Sequence, residues 1–125
     1  MQLKALVVDD SRAVRMILAK ILRELGYDVR EAANGKEALA LIEAETDPIK
    51  LVLVDWNMPE MNGFELLKLL RENPAHASMK IVMVTTETEI DQMAAAVEAG
   101  ANEYVMKPFT RDILVEKLEL AGIRS

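Results

Sequence analysis

Five short apolar, β-branched runs alternate with helical patterns from one end of this chain to the other. That order favours a parallel sheet covered by helices. The strand-like runs are Lys4 to Val8, Asp28 to Ala32, Lys50 to Val54, Lys80 to Val84 and Glu103 to Met106. Between the first two, Val14, Ile17, Leu18, Ile21, Leu22 and Leu25 recur at helical spacing, and Gly26 follows as a C-terminal cap. The other face of that helix carries Arg12, Arg15, Lys20, Arg23 and Glu24. Weaker helical patterns cover Lys36 to Glu45, Phe64 to Glu72, Ile90 to Ala99 and Arg111 to Leu120. Gly35, Asp47-Pro48, Gly63, Asn73-Pro74 and Gly100 punctuate them. The expected fold is α/β with a five-stranded parallel sheet.

At 125 residues the alternation fills one domain of common size, able to bury roughly two-thirds of its unfolded surface without a staple. No linker or low-complexity stretch interrupts it, so residues 1–125 are expected to form one unit without an output domain. Apolar residues make up 51% and charged ones 29%, the composition of a chain that folds alone. Cysteine is absent, which excludes thiol nucleophiles, disulfides and cysteine metal sites. The opening MQLKALVVDD reaches two acids before a signal-peptide core could form, and no apolar run approaches a membrane span; the expected location is the cytoplasm. A net charge of -6 argues against sequence-independent attraction to nucleic acid or anionic lipid.

Ligands of open parallel sheets bind outside the carboxyl ends of the strands, so the polar residues there decide the chemistry. The first strand runs into Asp9 and Asp10, the third into Asp55, the fourth into Thr85 and Thr86, and the fifth into Lys107. Those ends share one edge of the sheet. Three clustered carboxylates raise one another's pKa unless a cation sits among them, and an all-oxygen donor set suits magnesium. A carboxylate can attack phosphorus to give an acyl phosphate, with metal, Lys107 and a hydroxyl neutralising the transferring oxygens. On chemistry alone, either aspartate of the pair or Asp55 could be the nucleophile.

The segments VVDDS, LVDWNMPEMNGFELL, VTT and YVMKPF, in this order and each following an expected strand, resemble the receiver domain of two-component response regulators. The resemblance spans the chain and is strongest to free-standing receivers of the chemotaxis type. It implies a doubly wound, flavodoxin-like sheet of order 2-1-3-4-5. It further implies Asp55 as phosphoacceptor, Asp9 and Asp10 with Asp55 and the Asn57 backbone carbonyl as Mg2+ ligands, and Lys107 as the amine that pairs with the phosphate. Thr85 and Tyr104 become the switch pair, Lys107-Pro108 a cis bond, and Asn57, Thr86 and Glu87 the positions that tune hydrolysis. The implied donor is a histidine kinase. The implied output is a monomer's phosphorylation-dependent binding of a protein target through the face of helix 4, strand 5 and helix 5. A phosphorelay receiver or phosphate sink is the alternative within the family.

Plainer roles compete at several positions. Asp10 and Ser11 are both good helix caps, Thr86 could cap the fourth helix, Lys107 could be a turn lysine and Tyr104 a packing residue. Gly63 reads as a tight turn, the methionines as core, and His76 has no second histidine with which to bind metal. Outside the family, a haloacid-dehalogenase-type phosphatase would need a second acid two residues after the nucleophile, where this chain has Asn57. A phosphorylation-independent adaptor with this fold would normally have lost part of the acid cluster, and none of it is missing.

Overall fold

The computed structural model describes residues 3–86 and 90–122. Strands and helices alternate through them: β1 Lys4–Val8, α1 Arg12–Glu24, β2 Asp28–Ala32, α2 Gly35–Ala44, β3 Ile49–Asp55, α3 Gly63–Glu72, β4 Lys80–Thr85, α4 Ile90–Glu98, β5 Glu103–Met106 and α5 Arg111–Leu120. A short 3-10 turn, Pro74–His76, joins α3 to β4, where the sequence suggested only a break. The five strands pair in parallel in the order β2-β1-β3-β4-β5, as the resemblance implied. No helix among the described residues is long and apolar enough to cross a membrane.

The pleat sorts the inner strands onto two cores. Leu6, Val8, Val52, Val54, Ile81 and Met83 pack on the side of α2, α3 and α4, whereas Ala5, Val7, Leu51, Leu53, Val82 and Val84 pack against α1 and α5. Burial on both faces is why these strands read as unbroken apolar runs. β2 lies at the sheet edge and keeps Asp28, Arg30 and Glu31 only partly covered.

Local signals set the helix ends. The Ser11 hydroxyl accepts from the Val14 N–H, so Ser11 rather than Asp10 caps α1 and Asp10 is spared for other work. Gly26 follows the C-cap Leu25 with φ 100°, and the N–H groups of Gly26 and Tyr27 close on Arg23 and Leu22 at 3.0 Å each. That is the Schellman arrangement which a glycine at this position permits. At the start of α3, Asn62 and Glu65 exchange side-chain and backbone hydrogen bonds in a capping box.

Gly63, read from the sequence as a tight turn, opens α3 and its φ is not positive. The reason for glycine is space: a Cβ there would overlap the Asp55 carbonyl oxygen and crowd the Val54 side chain. Gly63→Ala should therefore push backbone against backbone directly beneath the acid cluster. Overpacking of this kind costs about 1–3 kcal/mol, and the expected result is an unfolding free energy, measured by urea titration, lowered by an amount in the upper part of that range.

Candidate functional site

Val8 pairs with Val54, so β1 and β3 deliver Asp9 and Asp55 side by side at the point where the strand order reverses. Asp9 is fully buried and Asp55 is 5% exposed, whereas Asp10 stands exposed at the rim. One carboxylate oxygen from each of the three lies within 4.8 Å of the others. Asp55 is itself part of β3, paired across to Val84 of β4, which extends the expected strand by one residue and fixes the direction of the acid.

Lys107 reaches this cluster from the end of β5. Its N–H donates to the Thr85 carbonyl at 2.8 Å, and its peptide bond to Pro108 is cis, as the resemblance implied. The ammonium lies 2.9 Å from Asp9 Oδ2 and 3.5 Å from Asp55 Oδ1. Asp9 Oδ1 accepts from the Ser11 N–H at 2.8 Å, and Asp55 Oδ1 accepts from the Asn57 N–H at 3.3 Å. These contacts do not balance the charge. Burial first, and then the neighbouring Asp9 carboxylate, push the Asp55 carboxyl up to about 6 against the opposing pull of Lys107 and the Asn57 N–H. A compact set of carboxylate oxygens with surplus negative charge is the donor set a hard divalent cation requires.

The switch candidates lie to one side of the acids. Thr85 is buried at the end of β4, while Tyr104 is half-buried on β5, paired with Met83. The two share a small cavity beside α4, and the Lys117 ammonium sits 4.9 Å from the centroid of the Tyr104 ring. Thr86 is exposed and is followed by residues 87–89, which lie outside the described residues, so its capping role falls there too. Glu87 lies outside the described residues. His76 sits by the starts of β3 and β4, at the other end of the sheet from the acids.

Arg15, which the sequence pattern sets on the face of α1 opposite the apolar stripe, reaches the site: its guanidinium donates to the Asp9 carbonyl at 2.6 Å and lies 3.5 Å from Glu31. In the structure the Arg15 N–H closes the first turn of α1 on the Ser11 carbonyl at 3.0 Å, which sets Arg15 over the end of β1. Trp56, next to Asp55, stacks on Phe64 with ring centroids 5.2 Å apart.

The family described as the response regulator receiver domain matches residues 5–119. A chemotaxis protein CheY homolog of Campylobacter jejuni is 48% identical over 118 residues, covering 94% of this chain and 90% of the relative. Chemotaxis protein CheY1 of Helicobacter pylori is 45% identical over 119 residues, covering 94% of this chain and 95% of the relative. Among solved structures, chemotaxis response regulator CheY4 of Vibrio cholerae superposes with a TM-score of 0.87 at 35% identity, covering 97% of this chain and 99% of that one.

Proposed function

Because the chain belongs to the response regulator receiver family, we propose that it is a chemotaxis-type signalling switch that takes a phosphoryl group from a histidine kinase onto Asp55. The observation that carries this reading is the buried Asp55 carboxylate, poised between the Asp9–Asp10 pair and the Lys107 ammonium. In the transfer, an Asp55 oxygen attacks phosphorus, the P–N bond of phosphohistidine breaks and the imidazole leaves. Lys107 shifts from Asp9 toward the new phosphoryl oxygens. Asp9, Asp10, the Asp55 carboxylate and the Asn57 backbone carbonyl would hold Mg2+. When bound, the ion supplies positive charge that the phosphoryl oxygens and the carboxylates share. Asn57 and Thr86, both exposed, flank the path of the water that later removes the group, and the family resemblance assigns Glu87 to the same hydrolysis-tuning role.

The output is binding. The Thr85 hydroxyl donates to a phosphoryl oxygen, vacates space beside α4, and Tyr104 turns inward to fill it. The face made by α4, β5 and α5 carries Val97, Met106 and Ile113 at 54%, 41% and 44% exposure, apolar surface on which a protein target could dock. The reading carries with it a cytoplasmic monomer and no direct role for nucleic acid or membrane. A dehalogenase-type phosphatase is disfavoured because Asn57 stands where its second acid belongs.

The test is amide NMR with magnesium and beryllofluoride, a phosphoryl mimic. Wild type should show changes near Asp55, at Tyr104 and along α4, whereas Thr85→Ala should keep the first and lose most of the distant ones. Distant changes of equal size in both proteins would remove Thr85 from the route.

A further inference from the structure

Gln92 stands on α4, facing the cavity that Thr85 and Tyr104 share. Its side-chain oxygen is buried and has no hydrogen-bond partner, the one such side-chain atom among the described residues. A buried acceptor left without a donor costs about 1–3 kcal/mol, and native proteins tolerate few of them. The cavity offers no easy remedy. Met83, Met93 and Ala96 make up much of its wall, and it is too small and apolar to give a water the partners it needs.

Three other residues on that wall carry donors: Trp56, Thr85 and Tyr104. The Trp56 ring is held in a stack on Phe64, 18° from parallel. Thr85 already has an interaction of its own, and in the switch it turns toward the phosphoryl group and away from α4. Tyr104 is the donor able to travel. It is half-buried, packs against the core on the α4 side of the sheet, and is held in its present position by an exchangeable contact with Lys117.

We propose that Gln92 is the latch of the switch: its side-chain oxygen accepts the hydroxyl of Tyr104 when that ring turns inward. The inference rests on the switch reading above and adds the residue that holds the inward state. The present conformation bears the cost of the unpaired oxygen, and the inward one removes that cost and gains a hydrogen bond. Gln92 thereby biases the equilibrium toward the inward ring as soon as Thr85 moves aside. It is a positioning residue, since it touches neither Asp55 nor its ligands.

Gln92→Met keeps the length of the side chain and deletes the acceptor. With ring-labelled tyrosine, NMR distinguishes the inward and outward positions of Tyr104, and Tyr27 is the only other tyrosine in the chain. In magnesium and beryllofluoride, Gln92→Met should lower the inward-to-outward ratio about five- to tenfold, the size of one hydrogen bond. Without the mimic it should unfold at a higher urea concentration than wild type, because the unpaired oxygen is gone. In the Tyr104→Phe background, followed through a labelled phenylalanine ring, Gln92→Met should leave the ratio unchanged. An unaltered ratio in Gln92→Met, an equal loss in the Tyr104→Phe background, or a lowered unfolding midpoint would each overturn the latch. Failure of the wild-type ring to turn at all would overturn the switch reading itself, and the wild-type spectrum alone reveals that case.

Discussion

Asp55→Ala is expected to take up no phosphoryl group from acetyl phosphate and magnesium, under conditions where the native chain gains one hydroxylamine-labile group by intact mass. The expectation follows from how the three acids are occupied. Asp9 is fully buried, with Oδ1 turned to the Ser11 N–H and Oδ2 to Lys107, so a phosphoryl donor has no approach to it. Asp10 is exposed and reachable but lies at the rim, and the ammonium that would neutralise the incoming oxygens is held between Asp9 and Asp55. At Asp55 the Asn57 N–H and Lys107 both engage Oδ1, which leaves Oδ2 with a lone pair to offer phosphorus. A displacement aided by orientation and charge loses both when the nucleophile moves to a neighbouring residue. Labelling of Asp55→Ala at the native level would transfer the acceptor role to Asp10.

The order of elements and the edge carrying the chemistry were legible in the sequence for a definite reason. Strand segments buried on both faces, such as Leu51 to Val54, must be apolar throughout, so the polar residues that end them stand out. Which of the three acids accepts phosphate was not legible from residue types, because chemistry alone permits each of them; the family motif supplied that choice. The reach of Arg15 to the site was not legible, because helical periodicity defines the core stripe of α1 but not which polar residue overhangs the end of β1. The reason for a glycine at position 63 lay equally beyond the sequence. A glycine beside a turn can mean a positive φ or a close approach, and only the position of the Asp55 carbonyl distinguishes them. The unpaired oxygen of Gln92 has no sequence signature at all, since an amide on a helix face reads as solvated until its neighbours are known.

In the absence of divalent cation, Asp55→Asn is expected to be more stable than the native chain at neutral pH, and the difference is expected to vanish near pH 4. The Asp55 carboxyl is raised from 3.8 to about 6, so the folded state favours its protonated form. Below the unfolded value both states hold the proton, and the contribution of this group is fully present. As the pH rises through about 6, the unfolded chain has already released its proton, while the folded one must ionise an acid that is buried beside Asp9. Stability is lost across that window, and a shift of this size corresponds to about 3 kcal/mol at most. Asparagine keeps the shape and cannot ionise, but it weakens the contact with Lys107, so the expected gain at pH 7 is about 2 kcal/mol. Urea unfolding followed by Trp56 fluorescence at pH 4, 6 and 8 in chelator would measure it, and a difference that stays flat with pH would contradict the assigned cause. Magnesium should act in the opposite sense. A cation that binds only the folded state stabilises it by mass action, and the native site offers it a carboxylate that Asp55→Asn lacks. The native chain should therefore gain more from added magnesium than the variant, because the surplus charge that weakens the cation-free fold is what attracts the ion.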